Sequence, residues 1–359
     1  MSRVRRVAVS MGDPTGIGPE VTLAALLRRP TSRALAPILV GDPAVYAAAA
    51  AQLGARVRLA EWTPPAPLPS GALPVRVAAR LTASQRRPGR PTVAGGHAAY
   101  ASIVEAVRLV RAGFADALTT APICKANLVA AGRRVSGHTE LLAELCGGVP
   151  VRMMMAGQRL RVILVTTHLA LSAVPKAISR TLVLDTLRIA QRALRVHFGL
   201  ARPRLGVAGL NPHAGEQGLF GTEEMRVIAP AVRAARRSGI DARGPFAADS
   251  LFPLALKGGV DAVVCMYHDQ GLAPFKLLHF TDGVNVTIGL PFVRTSPDHG
   301  TAHDIAGRGV ADPGSMAAAL RLAAALAQPQ PKHLAGVAVP AARRRLRSRT
   351  AGSLAQSAQ

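Results

Sequence analysis

The chain has 359 residues, enough for a large core or two of them. It is 49% hydrophobic but only 3% aromatic, so that core must be built from Ala, Val, Leu and Ile. A formal charge of +24 suggests a nucleic-acid partner, but its distribution argues against one: lysine occurs only at positions 125, 176, 257, 276 and 332, the arginines are scattered among alanines, and no aromatic platform, recognition-helix pattern or zinc finger is present.

No apolar run reaches the roughly 18 residues that a membrane-spanning helix needs. The N-terminal MSRVRRVAVSMGDP has a short apolar run between basic residues and a Gly-Asp-Pro turn, too short for a signal peptide, and reads as the first strand of a cytoplasmic protein. Cys124, Cys146 and Cys265 fit no CxxC pattern, which suggests a reducing compartment and small buried side chains.

In chain order, Val7 to Met11 reads as a strand, and Gly12 to Glu20 as a glycine-rich loop opening a helix through Val21, Leu23, Leu26 and Leu27. Opening a helix, this loop could cradle an anion, but it matches neither G-x-G-x-x-G nor the P-loop, and a structural strand-to-helix turn is at least as good a reading, with Asp13 its one chemically interesting member. A strand at Pro37 to Val40 and a helix from Pro43 to about Leu53 follow. Prolines and glycines between Trp62 and Arg90 predict irregular structure. A helix from about His97 to Arg111 leads to a strand at Ala117 to Thr120. Strands are then expected at Arg161 to Thr166, Arg204 to Ala208 and Ala262 to Met266, alternating with helices at Leu182 to Val196 and Glu223 to Arg237. The alternation predicts an α/β protein with a largely parallel sheet. A domain boundary is expected near Val135 to Thr139, with a return crossing near Gly283 to Gly289.

Three of these strands stop at a histidine: His168, His213 and His268. Ligands bind outside the carboxyl ends of strands in open α/β sheets, and three neutral imidazoles suit a divalent metal with open positions. A single histidine there is more often a structural residue or a base. A second set holds Lys276, Asn285, Arg294 and the helix-opening pair His138-Thr139, which together offer cations, neutral partners and free N–H groups to a phosphate or carboxylate. In so arginine-rich a chain, Lys276 and Arg294 could equally be solvated surface cations. After the last helical patterns, Arg343, Arg344, Arg345, Arg347 and Arg349 precede a Ser/Ala/Gln-rich end, and residues 336–359 read as a basic disordered tail.

The segments MGDPTGIGPE, SGHTE, TTHLALSAVP, GLNPHAGE, YHDQGLAPFK and NVTIGLPFVRTSPDHGTAHDIAG, in this order from about Val7 to Asp312, resemble the 4-hydroxythreonine-4-phosphate dehydrogenase family of vitamin B6 biosynthesis. The resemblance implies two α/β/α domains with a cleft between them, as in isocitrate and isopropylmalate dehydrogenases. One would comprise residues 1–135 plus 286–335 with the cofactor loop, the other residues 136–285 with metal ligands and a dimer interface. It implies a homodimer whose site is completed at the interface, using NAD and a divalent Zn, Co, Mg or Mn ion. The reaction is oxidation and decarboxylation of 4-phosphooxy-L-threonine to 3-amino-2-oxopropyl phosphate. On the matching positions, His168, His213 and His268 would bind metal, and His138, Thr139, Lys276, Asn285 and Arg294 would bind substrate. The run from Asp298 to Gly307 is similar to the adenosine-binding loop of isopropylmalate and isocitrate dehydrogenases, so His299, Gly300, Thr301, Ala302 and Asp304 are expected to hold NAD, the carboxylate disfavouring a 2′-phosphate. Asp249 and Asp269 are the candidate general bases, Asp269 alternatively orienting a histidine ligand. Ala247 and Ser250 stand where the family pattern has Pro and Thr, a departure that bears on the loop holding Asp249. Other readings are a same-family dehydrogenase of D-threonate or D-erythronate 4-phosphate, then a zinc hydrolase, then a nucleic-acid-binding protein.

Overall fold

In the computed structural model, residues 4–28, 35–133 and 137–327 are described; Ser136 and the basic tail lie outside them. The first part of the chain forms β1 (Arg5–Ser10), α1 (Gly18–Arg28), β2 (Leu35–Gly41), α2 (Pro43–Gln52), β3 (Leu59–Glu61), β4 (Leu73–Val77), α3 (Val93–Arg111), β5 (Ala117–Thr120), α4 (Lys125–Ala130) and α5 (His138–Leu145). Then come β6 (Arg152–Ala156), β7 (Arg161–Leu164), α6 (Val174–Ala177), α7 (Arg180–Val196), β8 (Leu205–Ala208), α8 (Ala229–Arg237), β9 (Ala242–Phe246), α9 (Ala248–Leu256), β10 (Ala262–Cys265), α10 (His268–His279), β11 (Val284–Ile288), β12 (Val293–Pro297) and α11 (Gly314–Leu326).

Capping explains why two helices begin earlier than the apolar period suggests. Thr92 accepts a hydrogen bond from Gly95 N, opening α3 at Val93, and Ser179 accepts from Leu182 N, opening α7 at Arg180. Three of the strands that lie outside the expected ones are β3, β4 and β6. β3 forms just before the proline-rich stretch and β4 within it, Pro74 preceding the first β4 residue registered with β2. β6 is built on Met153, Met154 and Met155, whose unbranched side chains give little strand signal but are buried on both faces.

All twelve strands join one sheet in the order β3-β4-β2-β1-β5-β12-β11-β6-β7-β10-β8-β9. Pairing is parallel on both wings and antiparallel at β12–β11, β11–β6 and β6–β7, so the expected largely parallel sheet contains a central reversal. Side chains alternate between the faces, as the pleat requires. On the first wing Val7 and Val9 pack with α1, α2 and α11, while Ala8, Ile38 and Leu118 pack with α3 and α5. On the second, Ile163, Val207 and Val264 pack with α7 and α8, and Val162, Val263 and Cys265 with α9 and α10. Helix α11 crosses the seam: Met316, Leu320 and Ala323 belong to the first core and Ala319 to the second.

Candidate active site

One of the central strands carries a buried cation. Arg294 on β12 is 1% exposed, yet no carboxylate pairs with it among the described residues. Its Nε and Nη2 donate to Thr120 Oγ1 at 3.2 and 2.5 Å, and its Nη1 to Thr287 Oγ1 at 2.8 Å. Burial pushes the guanidinium down to about 9, still charged at neutral pH, while Glu140 opposes the shift. On β11, Asn285 has a buried Oδ1 with no partner.

The other residues of the expected substrate set include two on α5 and one on α10. His138 opens α5, and its buried Nε2 lacks a partner. Burial, then the charges of Arg294 and Lys125, hold its imidazole well below the usual histidine range. Thr139 follows in the same helical turn. Lys276 on α10 is paired with Asp298 Oδ2 at 3.2 Å, and burial raises the Asp298 carboxyl despite that cation.

The ends of β7 and β10 bring two of the three metal candidates together. Val165 N and Thr166 N donate to the carbonyls of Cys265 and Met266, and Thr166 Oγ1 also donates to Met266 O at 2.7 Å. The following residues are thereby registered, and the rings of His168 and His268 lie 5.6 Å apart, tilted by 41°. Asp269, 85% exposed, meets His268 Nδ1 at 2.7 Å, which leaves Nε2 free to act as a ligand. Burial, Lys125 and His268 lower the His168 imidazole, favouring the neutral form that binds metals. His213 is not with this pair. It faces Phe220, ring centroids 6.1 Å apart, and no group of three or more His, Cys, Asp or Glu could hold a metal ion among the described residues of one chain.

His213 opens a run of unusual backbone. His213, Ala214, Gly215, Glu216 and Gln217 are all left-handed, with φ between 42° and 82°. For the four residues with a Cβ this costs roughly 1–2 kcal/mol each. Asp249 lies elsewhere, exposed in the first turn of α9, where its carboxylate bonds only its neighbour Ser250.

The expected cofactor loop is docked on the N-terminal glycine-rich loop. Ile17 N donates to Thr301 O at 2.9 Å, and a Cβ on Gly16 would come within 2.8 Å of that oxygen. Buried Glu20 accepts from Gly307 N and, at 3.2 Å, from Gly309 N. Asp13, wholly buried, accepts from Thr15 N and Oγ1 and from Asn127 Nδ2, and lies 3.7 Å from His303 Nε2. The N–H groups of Asp13, Thr15, Gly16 and Ile17 are thus spent on protein acceptors, including Pro122 O, so this part of the loop serves as a platform for the docked segment. Gly12, at φ +72°, could carry no Cβ, which would lie 2.3 Å from Pro122 O. Within the docked loop Ala302 is left-handed and Gly300 is exposed; among the described residues, buried His299 Nε2 has no partner and exposed Asp304 makes no hydrogen bond or ion pair.

Several of these roles escaped the sequence. Lys125 shows only as a cation before a short helix, although its charge reaches both His138 and His168. Gln270 accepts from Met266 N and donates to Gly209 O at 2.6 Å, tying the end of β10 to that of β8. Its adjacency to His268-Asp269 was the one available signal.

Residues 33–323 match the family model described as pyridoxal phosphate biosynthetic protein PdxA. The 4-hydroxythreonine-4-phosphate dehydrogenase of Geobacter metallireducens is 52% identical over 328 residues, 90% of this chain and 96% of its own. A crystal structure of 4-hydroxythreonine-4-phosphate dehydrogenase from Klebsiella pneumoniae superposes with a TM-score of 0.82 at 40% identity, covering 91% of this chain and 99% of that one. The corresponding enzyme structure from Burkholderia phymatum gives a TM-score of 0.80 at 41% identity, with 91% and 99% covered.

Proposed function

Since this chain belongs to the pyridoxal phosphate biosynthetic protein PdxA family, we propose that it is a 4-hydroxythreonine-4-phosphate dehydrogenase, oxidising its phosphorylated amino-acid substrate and promoting loss of carbon dioxide to give 3-amino-2-oxopropyl phosphate. The observation that carries the reading is the buried, carboxylate-free Arg294 beside the unpartnered His138 Nε2 and Asn285 Oδ1. A buried cation and orphaned polar atoms are costly unless a ligand completes them, and an anionic, multiply hydroxylated or aminated substrate does so.

The residues present fit a divalent cation in part. His168 and His268 offer two imidazoles, with Asp269 fixing the tautomer of the second. His213 completes the set across a homodimer interface. Exposed Leu277 on α10 and Phe280 just beyond its end, 87% and 77% accessible, offer apolar surface for that partner. When bound, a divalent Zn, Co, Mg or Mn ion supplies Lewis acidity to the substrate hydroxyl, and NAD accepts the hydride. The chain supplies the rest. Arg294, Lys276 and the N-terminal turn of α5 with His138 and Thr139 hold the anionic substrate; Asn285 orients it. The loop from His299 to Asp304, seated on the N-terminal platform, takes the adenosine end of NAD, with Asp304 facing solvent where a ribose diol would meet it. Asp269 holds His268, and the carboxylate candidates for taking the hydroxyl proton are Asp249 and Asp269.

The test is NADH formation from enantiopure 4-phosphooxy-L-threonine by metal-stripped enzyme with each metal restored in turn, threonate and erythronate 4-phosphates serving as competitors. Metal-dependent turnover that His168→Ala abolishes is expected. Faster turnover of a sugar-acid phosphate would reassign the substrate, and undiminished activity of the variant in metal-free buffer would remove the metal role.

A further inference from the structure

We infer that Glu224 is the positioning residue for His213: its buried carboxylate holds shut a left-handed turn that aims this imidazole. The inference rests on the metal-binding reading of His213. Five successive left-handed residues, four of them with a Cβ, form a path the chain would not choose for itself, so something must over-determine it. Glu224 is 3% exposed and has no cationic partner among the described residues. Its Oε1 accepts from Leu210 N and Asn211 N, both at 2.7 Å, and its Oε2 accepts from Asn211 Nδ2 at 3.0 Å. The carboxylate therefore gathers the segment immediately before His213.

The same carboxylate also fills the inside of the turn. A Cβ on Gly215 would lie 2.6 Å from Glu224 Oε2, and one on Gly209 would lie 3.0 Å from Oε1 and 2.9 Å from Ala214 Cα. Glu224 begins a π-helical segment, Glu224–Ile228, ahead of α8. Such wide turns often sit at functional sites, and here one delivers the acid to the turn. A second link reaches the other histidine loop. Gly209 O, at the start of the segment, accepts from Gln270 Nε2, and Gln270 Oε1 accepts from Met266 N two residues before His268. One hydrogen-bond chain, Glu224 to Leu210–Asn211, then Gly209 to Gln270, thus fixes the backbones that present His213 and His268.

Purified full-length enzyme, stripped and titrated with Co²⁺ alone, tests this through three readouts: affinity, the visible absorption band of the bound ion, and hydrogen exchange at the Leu210 and Asn211 amides. Glu224→Ala should speed exchange at both amides, weaken Co²⁺ roughly 10- to 100-fold and alter the absorption band. Glu224→Gln, which keeps an acceptor for the two amides but turns an N–H₂ toward Asn211, should fall between. If Glu224→Ala does not fold, Gly215→Ala, which places a methyl against the carboxylate, should shift the same band. A folded variant with faster exchange but wild-type affinity and spectrum would overturn the positioning role, as would unchanged exchange. If the wild-type enzyme itself fails to bind Co²⁺, the metal reading falls, and this inference with it; that outcome is distinguished by appearing before any substitution.

Discussion

Arg294 shows how much a single side chain decides. Its guanidinium is fixed by two threonine hydroxyls from β5 and β11, with N–H donors to spare. Lysine cannot reproduce that fork. Arg294→Lys should lower kcat/KM for the phosphorylated substrate about a hundredfold, as expected for losing a charge-assisted pair, while leaving the KM for NAD within about threefold. Steady-state kinetics with each ligand varied would check it, and an equal effect on both KM values would mean that the residue only supports the fold. At this scale the sequence was informative about residue type and silent about partners. His168, His268 and Arg294 stood out because each falls beside a strand end or within a dense polar motif. That Arg294 would be buried against Thr120 without a carboxylate depends on a contact between residues more than a hundred positions apart, and that Lys125 would stand near His138 depends on how two short helices are placed.

Among the elements, the docking of the Asp298 to Gly307 loop on the start of α1 explains what the glycine-rich N-terminal motif does. Glu20 carries the connection through Gly307 and Gly309. Glu20→Ala should free that end of the loop and raise the KM for NAD about tenfold, the cost of losing hydrogen bonds to a charged acceptor, with substrate-phosphate affinity unchanged. Coenzyme and substrate titrations would separate the two, and an unaltered KM for NAD would detach the loop from coenzyme binding. The sequence revealed the alternation of strands and helices because their apolar periods differ and because Thr92 and Ser179 cap their helices. It hid β6, whose methionines lack a strand signature, and the left-handed turn at His213, where only Gly215 hinted at a positive φ. The strain of that turn, roughly 4–8 kcal/mol over its four substituted residues, is of the same order as three hydrogen bonds to a carboxylate at about 1.5–3 kcal/mol each.

For the molecule as a whole, charge count was the least informative number and pairing order the least accessible. The seam joins β5 to β12, with Thr119 and Thr295 hydroxyls 3.0 Å apart, and no local pattern announces a pairing of such long range. Stability against pH is a property at this scale. Burial first, and neighbouring cations second, lower the imidazoles of His138 and His197 below the ordinary histidine value of about 6.5. Between the folded and unfolded values the unfolded chain binds more protons, so stability rises with pH in that window. It is therefore fully present above about 6.5 and lost as the pH falls through that value toward the folded pKa values. Thermal denaturation of ligand-free enzyme should show a falling Tm from pH 7.5 to 5, and a flat or rising Tm would contradict these burials.

The continuity of the sheet through β12 and β11 has one more consequence. Two lobes joined by flexible linkers can swing apart freely, whereas here any relative motion must twist a hydrogen-bonded ribbon that α11 also spans. Arg294 sits on that ribbon, bonded to a strand on either side. An anion that engages it does not dock on one lobe and wait for the other to close. It would load the axle itself, and recognition and the torsional setting of the two wings would then be a single mechanical event.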